Sequence, residues 1–199
     1  MGTLGQICDT LAHSLGAAVV LPDFFLGDSM SKSVSDLSDA TAKGAWIKGQ
    51  ASWGNLKPIL DEAVTLLRAE GIASIGVLGW CWGSFVTMHA CASGEFSAGC
   101  SAHPSHTKLC SLAGENEAEV VGAVNCPQLL LPTQGDPDAV QPGGSNEAII
   151  TAKGLLCSVV AFPEMQHGFL SRGDLSDPIV ARDVGIALQT IIDFMQVHL

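Results

Sequence analysis

Short apolar runs alternate with segments of helical apolar spacing along most of the chain, and this alternation constrains the fold more than any other feature. In residues 56–67 the apolar positions recur every three or four residues, which predicts a helix that ends at Gly71. Residues 74–78 form a short apolar run that suits a buried strand. The same reasoning predicts strands at 17–25, 98–102, 128–132 and 156–162, and helices at 6–15, 36–45, 82–92, 115–122, 146–154 and 180–195.

Strands that alternate with helices pair in parallel through right-handed crossovers. We therefore expect an α/β fold, with helices on both faces of a mostly parallel sheet. Ligands of such sheets bind beyond the carboxyl ends of the strands, so the residues that follow each strand are the first candidates for a site.

The composition indicates one globular domain that acts on a small molecule. The chain has 199 residues, 47% of them hydrophobic and 15% charged, which suits a single domain over residues 1–199 and excludes a disordered segment. A formal net charge of −11 repels nucleic acids and anionic lipids, so we expect neither as a partner. The apolar run at 155–162 is too short to span a membrane. Seven cysteines without a signal segment favour a cytoplasmic location.

A Gly-x-Cys-x-Gly pentapeptide at residues 79–83 follows a predicted strand and precedes a predicted helix. It is the nucleophile-turn pattern G-x-S-x-G with cysteine in place of serine. We expect a turn so tight that side chains at 79 and 83 would strike the backbone, with the Cys81 sulfur exposed. The helix start favours a thiolate, and the Trp82 N–H lies where an oxyanion would form. A second interpretation, that Cys81 is a buried structural cysteine, stays open.

A thiol nucleophile requires an imidazole base and an acceptor that orients the imidazole. His167 follows the predicted strand 156–162, and the adjacent Gly168 permits a tight loop toward the same sheet edge. Two carboxylates, Asp136 and Asp138, follow the strand 128–132, and composition does not choose between them. The chain order of nucleophile, acid and histidine is the order found in α/β-hydrolases.

These motifs give the chain a resemblance to the dienelactone hydrolase (carboxymethylenebutenolidase) family of α/β-hydrolases. The resemblance implies a three-layer α/β sandwich and a Cys-His-Asp triad, with Cys81 as nucleophile and His167 as base. The family's acid precedes a small loop that ends in proline, which implies Asp138. The matching segments, which span nearly the whole chain, are Val20–Phe25, Gly76–Gly83, Ser101–Ser105 and Gln166–Phe169.

The resemblance also implies the reaction, which is hydrolysis of small ester or lactone bonds through an acyl-cysteine, without a cofactor. It suggests His103 as a wall of the site and Arg172 as a residue that binds a substrate carboxylate. Trp80, which is apolar and adjacent to Cys81, is a further candidate for substrate binding, with a place in the core as the alternative. Family members have roughly 35 to 45 further residues before the first helix, which is about one βα unit and includes the loop with a second oxyanion amide. We therefore expect an N-terminally truncated fold. The alternative function is that of an impaired hydrolase-fold protein that binds a small molecule or is structural.

Four soft ligands at Cys100, His103, His106 and Cys110 suggest a zinc site as a further alternative. Their spacing differs from that of the usual zinc pairs, and Cys100 is expected to face the core from its strand. We therefore expect no metal at these residues.

Overall fold

A parallel sheet lies at the centre of the computed structural model, which describes residues 3–36 and 38–199. Each strand is paired in parallel with the next along the chain. Such pairing requires a crossover between successive strands, and helices provide it. The strands, in their spatial order, are β1 (Gly76–Trp80), β2 (Ala98–Ala102), β3 (Gln128–Leu131) and β4 (Cys157–Val159).

Helices cover both faces of the sheet. The described helices are α1 (Thr3–Leu15), α2 (Met30–Ser33), α3 (Ala40–Gln50), α4 (Trp53–Ala69), α5 (Gly83–Ala90), α6 (His106–Ala113), α7 (Glu117–Ala123), α8 (Ser145–Ala152), α9 (Phe169–Arg172) and α10 (Pro178–His198), and a short 3₁₀ turn spans Asp138–Val140.

Two hydrophobic cores lie on opposite faces of the sheet. One face packs against α4 to α8, and the other packs against α1, α9 and α10. Side chains alternate along β3 accordingly, with Leu130 in the first core and Leu129 and Leu131 in the second. The alternation of strands and helices in the sequence thus becomes a sheet that is buried on both faces, as expected for parallel strands.

The longest helix shows how local sequence determines an element. α10 begins after Asp177, whose carboxylate accepts a hydrogen bond from the Ile179 N–H, and Pro178 occupies the first helical position. Its buried side chains recur at helical spacing and face the second core, among them Val184, Ala187 and Ile191.

The predicted strand at 17–25 is wrong, because this segment is irregular in the structure. Pro22 cannot donate a ladder hydrogen bond, and the Asp23 carboxylate instead accepts from the N–H groups of Phe25 and Gly27. The turn that results leaves Leu21 62% exposed. The other predicted strands and the helices at 6–15, 56–71, 82–92, 115–122, 146–154 and 180–195 are confirmed within a few residues. The helix predicted at 36–45 is present but shifted to Ala40–Gln50, and α2, α6 and α9 were not predicted.

An apolar cavity of about 380 Å³ flanks β1 on the side away from β2. Side chains of α1, α4, β1 and residues 17–22 line it, and Trp80 is among them. Cys81, Asp136 and His167 do not line this cavity, whereas Gly79, Trp82 and Gly83, which flank Cys81 in the sequence, do. Within 3–36 and 38–199, no helix combines the length and apolarity that crossing a bilayer requires.

Candidate active site

Cys81 occupies a sharp turn between β1 and α5. Its φ is +54°, a left-handed value that is uncommon outside glycine and matches the strain expected of a nucleophile turn. The Cys81 N–H donates to the carbonyl of Ala102 at 3.1 Å, and the Cys81 carbonyl accepts from the N–H groups of Ser84 and Ser105, each at 3.1 Å. These bonds tie the turn to the end of β2, so the thiol has a defined position.

The two glycines of the turn have different roles. A Cβ at Gly79 would lie 2.2 Å from the carbonyl oxygen of Gly83 and 2.5 Å from Thr87 Oγ1, so only glycine allows α5 to approach β1 this closely. A Cβ at Gly83 would meet nothing within 4 Å. The expectation that both positions exclude side chains is therefore confirmed for Gly79 and wrong for Gly83. Gly83 begins α5, and the direction its Cβ would take is free of neighbouring atoms.

Asp136 is the carboxylate that contacts His167. Its Oδ1 lies 2.7 Å from His167 Nδ1, while its Oδ2 accepts from the N–H and the hydroxyl of Thr133 at 2.7 and 2.8 Å. Asp136 is only 8% exposed, so these three contacts replace most of its hydration. They fix the orientation of both the carboxylate and the imidazole.

The structure places Asp136, and not Asp138, against His167. A turn closes where the Asp136 N–H donates to the Thr133 carbonyl at 3.2 Å, with Gly135 at a φ of +83°. This turn directs the Asp136 carboxylate back toward the end of β3 and His167. Asp138 lies one turn later, at the start of the 3₁₀ segment, where it is exposed.

The His167 imidazole lies between Asp136 and the thiol. Its Nε2 is 3.4 Å from the Ser105 hydroxyl oxygen, which is in turn 3.6 Å from the Cys81 sulfur. Hydrogen bonding to Asp136, and then to Cys81, raises the pKa of His167 to about 9, although burial opposes the charge. The protonated imidazole is thus the favoured form at neutral pH.

Opposing effects act on the thiol and on the acid. Burial raises the pKa of Cys81, but hydrogen bonds with His167, Ser105 and the Trp82 N–H outweigh it, so the pKa falls below its ordinary value. Burial likewise opposes ionisation of Asp136, and its bonds to His167 and Thr133 reverse the effect, so its pKa is lowered. All three shifts favour a thiolate, an imidazolium and a carboxylate.

His103 lies at the end of β2 and packs edge-on against His167, with 5.1 Å between the ring centres. It is fully buried, its φ is +37°, and neither ring nitrogen has a hydrogen-bond partner among the described residues. Burial lowers the pKa of His103 to about 4, so this imidazole is neutral. The structure thus brings His103 to the site, where it packs against the His167 ring.

The remaining candidate site residues are Arg172, Trp82 and Trp80. Arg172 is exposed on α9, and its guanidinium lies over Gly168, next to His167. The Trp82 ring packs on Phe24 and Phe25, so the backbone N–H of Trp82, not its indole, faces the sulfur. The Trp80 indole packs with the core beneath α1 and α10.

The four soft ligands that suggested zinc are not brought together. Cys100 belongs to the core beneath α1 and α10, whereas Cys110 belongs to the core on the opposite face of the sheet. In the part of the chain that the structure describes, no group of three or more His, Cys, Asp or Glu side chains is arranged for a metal ion.

Ser105 contacts both Cys81 and His167, a role that sequence reasoning did not assign to it. It follows β2, as Cys81 follows β1, and neighbouring parallel strands end at the same edge of the sheet. The available signal was that Ser105 closely follows the predicted strand 98–102. In the structure Trp80 pairs with Ala102, so the loops that follow these two strands lie side by side.

The sheet topology and the positions of Cys81, Asp136 and His167 after β1, β3 and β4 define an α/β-hydrolase fold. Two solved structures of Pyrococcus horikoshii acylaminoacyl peptidase share it. One aligns with a TM-score of 0.55 and 19% identity, over 71% of this chain and 27% of that one. The other aligns with a TM-score of 0.56 and 16% identity, over 73% and 28%.

Within this class, the chain belongs to the dienelactone hydrolase family, whose model matches residues 2–199. Relatives include "Dienlactone hydrolase 1" of Gibberella moniliformis, which is 30% identical over 78% of this chain and 59% of its own length. "Hydrolase tropI" of Talaromyces stipitatus is 24% identical, over 85% of this chain and 65% of its own length. The chain thus spans about three fifths of the length of these relatives.

Proposed function

We propose that this protein hydrolyses small ester or lactone bonds, with Cys81 as nucleophile, His167 as acid and base, and Asp136 as the group that orients His167. The observation that most supports this proposal is the continuous series of polar contacts from the Asp136 carboxylate through His167 and the Ser105 hydroxyl to the thiol. Membership of the dienelactone hydrolase family supports the same reaction class.

In the first half of the reaction, the Cys81 thiolate attacks the carbonyl carbon of the ester. The carbonyl oxygen becomes an oxyanion, to which the Trp82 N–H donates a hydrogen bond. The bond from carbon to the leaving oxygen then breaks, and His167 gives its Nε2 proton to that oxygen. The products are a thioester on Cys81 and an alcohol, which in a lactone stays attached to the acyl group.

In the second half, a water molecule attacks the thioester carbon while neutral His167 accepts its proton. The carbon–sulfur bond breaks, the thiolate leaves, and the acid is released. Asp136 stabilises the imidazolium in both halves, because its Oδ1 accepts from Nδ1–H throughout.

The surroundings of the triad suggest how a substrate is held. Arg172 supplies a cation beside His167 in a chain whose net charge is −11, so a substrate that carries a carboxylate gains its main attraction there. His103, neutral and fully buried against His167, limits the orientations open to that imidazole.

The test is acylation of Cys81 by p-nitrophenyl acetate, with the acetyl group located by mass spectrometry. We expect acetyl-Cys81 in the wild type and loss of hydrolysis in Cys81→Ala. Cys8→Ala is the matched control, because Cys8 is the other half-buried cysteine among the described residues, and it should retain full activity. Equal hydrolysis by wild type and Cys81→Ala would contradict the proposal.

A further inference from the structure

The hydroxyl of Ser105 contacts both of the groups that exchange a proton. Its oxygen is 3.6 Å from Cys81 Sγ and 3.4 Å from His167 Nε2, so it is within hydrogen-bonding reach of both. A hydroxyl can donate one hydrogen bond and accept another at the same time. It is therefore suited to connect a donor to an acceptor.

The position of this hydroxyl is fixed by the backbone. The Ser105 N–H donates to the carbonyl of Cys81 at 3.1 Å and to the hydroxyl oxygen of Ser84 at 2.9 Å. The Ser84 hydroxyl itself donates to the Cys81 carbonyl at 2.7 Å. Ser105 and the nucleophile turn are thus held together as one unit.

The side chain of Ser105 does not cap the helix that follows it. Ser105 immediately precedes α6, where serine normally accepts a hydrogen bond from the second or third N–H of the helix. Its side chain makes no such bond. The hydroxyl instead contacts Cys81 and His167, and α6 has no side-chain cap.

From this geometry we propose that Ser105 is a catalytic residue, which bridges the Cys81 thiolate and the His167 imidazolium and lowers the pH at which Cys81 becomes nucleophilic. The inference rests on the function proposed above. In the charged state, Nε2–H donates to the Ser105 oxygen and the Ser105 hydroxyl donates to the thiolate. When the pair forms, Sγ gives its proton to the Ser105 oxygen as that oxygen gives its own to Nε2, so the serine is unchanged.

Other titratable groups face this pair, and the test must leave them in place. Asp136 contacts His167 at Nδ1, His103 packs against the His167 ring, and Arg172 approaches from α9. A substitution at residue 105 removes none of these groups. A change in the titration of Cys81 therefore reports the hydroxyl.

The experiment measures the rate of iodoacetamide alkylation of Cys81 against pH, by mass spectrometry and without substrate. Loss of a hydrogen bond to a charged group changes the protonation equilibrium of that group roughly tenfold or more. We therefore expect Ser105→Ala to raise the midpoint of the alkylation curve by about one pH unit. We also expect kcat for p-nitrophenyl acetate at neutral pH to fall about tenfold, with KM unchanged. Ser105→Thr, which keeps the hydroxyl, should restore both.

Two comparisons separate the hydroxyl from a structural role. Ser105→Val has the shape of Ser105→Thr without the hydroxyl, so it serves as a second test and should behave as Ser105→Ala does. Ser52→Ala is the matched control, since Ser52 is also a half-buried serine before a helix with no side-chain cap bond. Its midpoint should equal that of the wild type.

The outcomes distinguish this inference from the proposed function. Acetyl-Cys81 in the wild type with the same alkylation midpoint in wild type and Ser105→Ala would overturn the role of Ser105 and leave the hydrolase proposal standing. A raised midpoint in Ser105→Ala and Ser105→Val, with no acetyl-Cys81 in any variant, would support the role of Ser105 and overturn the hydrolase proposal.

Discussion

Replacement of Asp136 by Asn changes the hydrogen-bonding pattern of His167 with almost no change in shape. Oδ2 of Asp136 accepts two hydrogen bonds from Thr133, so the single oxygen of an Asn side chain would take that position. The amide NH₂ would then face Nδ1 of His167. Nδ1 must become an acceptor, which places the imidazole proton on Nε2, and Nε2 can no longer accept a proton from Cys81.

The size of the effect follows from the burial of this contact. The Asp136 side chain is 4% exposed and lies 2.7 Å from Nδ1, so solvent screens the interaction little. A hydrogen bond to a charged group is worth about 1.5–3 kcal/mol, which corresponds to a loss of about 10-fold to 150-fold in rate. The unfavourable tautomer adds to this loss, and the same exchange in a Ser-His-Asp triad costs about 10⁴-fold in kcat.

The assay compares p-nitrophenyl acetate hydrolysis by wild type, Asp136→Asn and Asp138→Asn, with circular dichroism to verify that each variant is folded. Asp138 is exposed and two residues away, so Asp138→Asn should keep at least half of the wild-type kcat/KM, roughly the effect of a surface exchange. If Asp138→Asn lost as much activity as Asp136→Asn, or more, the assignment of the acid from this geometry would be refuted.

Two further predictions concern the stability of the fold. Gly79→Ala should unfold the nucleophile turn because its Cβ would lie 2.2 Å from backbone, whereas Gly83→Ala should be as stable as wild type or slightly more so; urea denaturation distinguishes them, and equal stabilities would contradict the crowding. Burial lowers the pKa of His106 from 6.5 to about 4, so only the unfolded chain takes up this proton as pH falls from 6.5 to 4. The free energy of unfolding should therefore fall by up to about 1.4 kcal/mol per pH unit for this residue; His106→Gln should remove that contribution while exposed His13→Gln should not, and an unchanged slope in His106→Gln would contradict it.

The parallel strands could be predicted from sequence because each is a short apolar run bounded by polar or glycine-rich residues. The strand predicted at 98–102 is confirmed with the same limits. The prediction for 17–25 fails because apolarity alone does not supply a pairing partner, and Asp23 offers its backbone a turn instead. The two cases therefore differ both in the pairing partner and in the local turn at Asp23.

The choice between Asp136 and Asp138 depends on a turn that spacing does not reveal. The two residues are separated by Pro137 alone, and either could follow β3 toward His167. The φ of Gly135 and the hydrogen bonds from Thr133 decide the matter, because they direct Asp136 inward. Contacts between loops fix such details, and a periodicity argument concerns only the elements that these loops join.

Backbone strain and unsatisfied polar atoms coincide at the proposed site. In the part of the chain that the structure describes, three residues other than glycine have positive φ, and Cys81 and His103 are two of them; the third, Leu26, lies in an exposed loop. Strain of this kind costs about 1–3 kcal/mol per residue, and the ends of β1 and β2 each hold one such residue. Hydrogen bonds from Cys81 to Ala102 and from Ser105 to Cys81 connect the two strained loops, so each helps to hold the other in place. His103 also leaves both ring nitrogens without a partner among the described residues, directly beside His167. Backbone strain and unpaired polar atoms therefore both occur at residues that position the thiol and the imidazole.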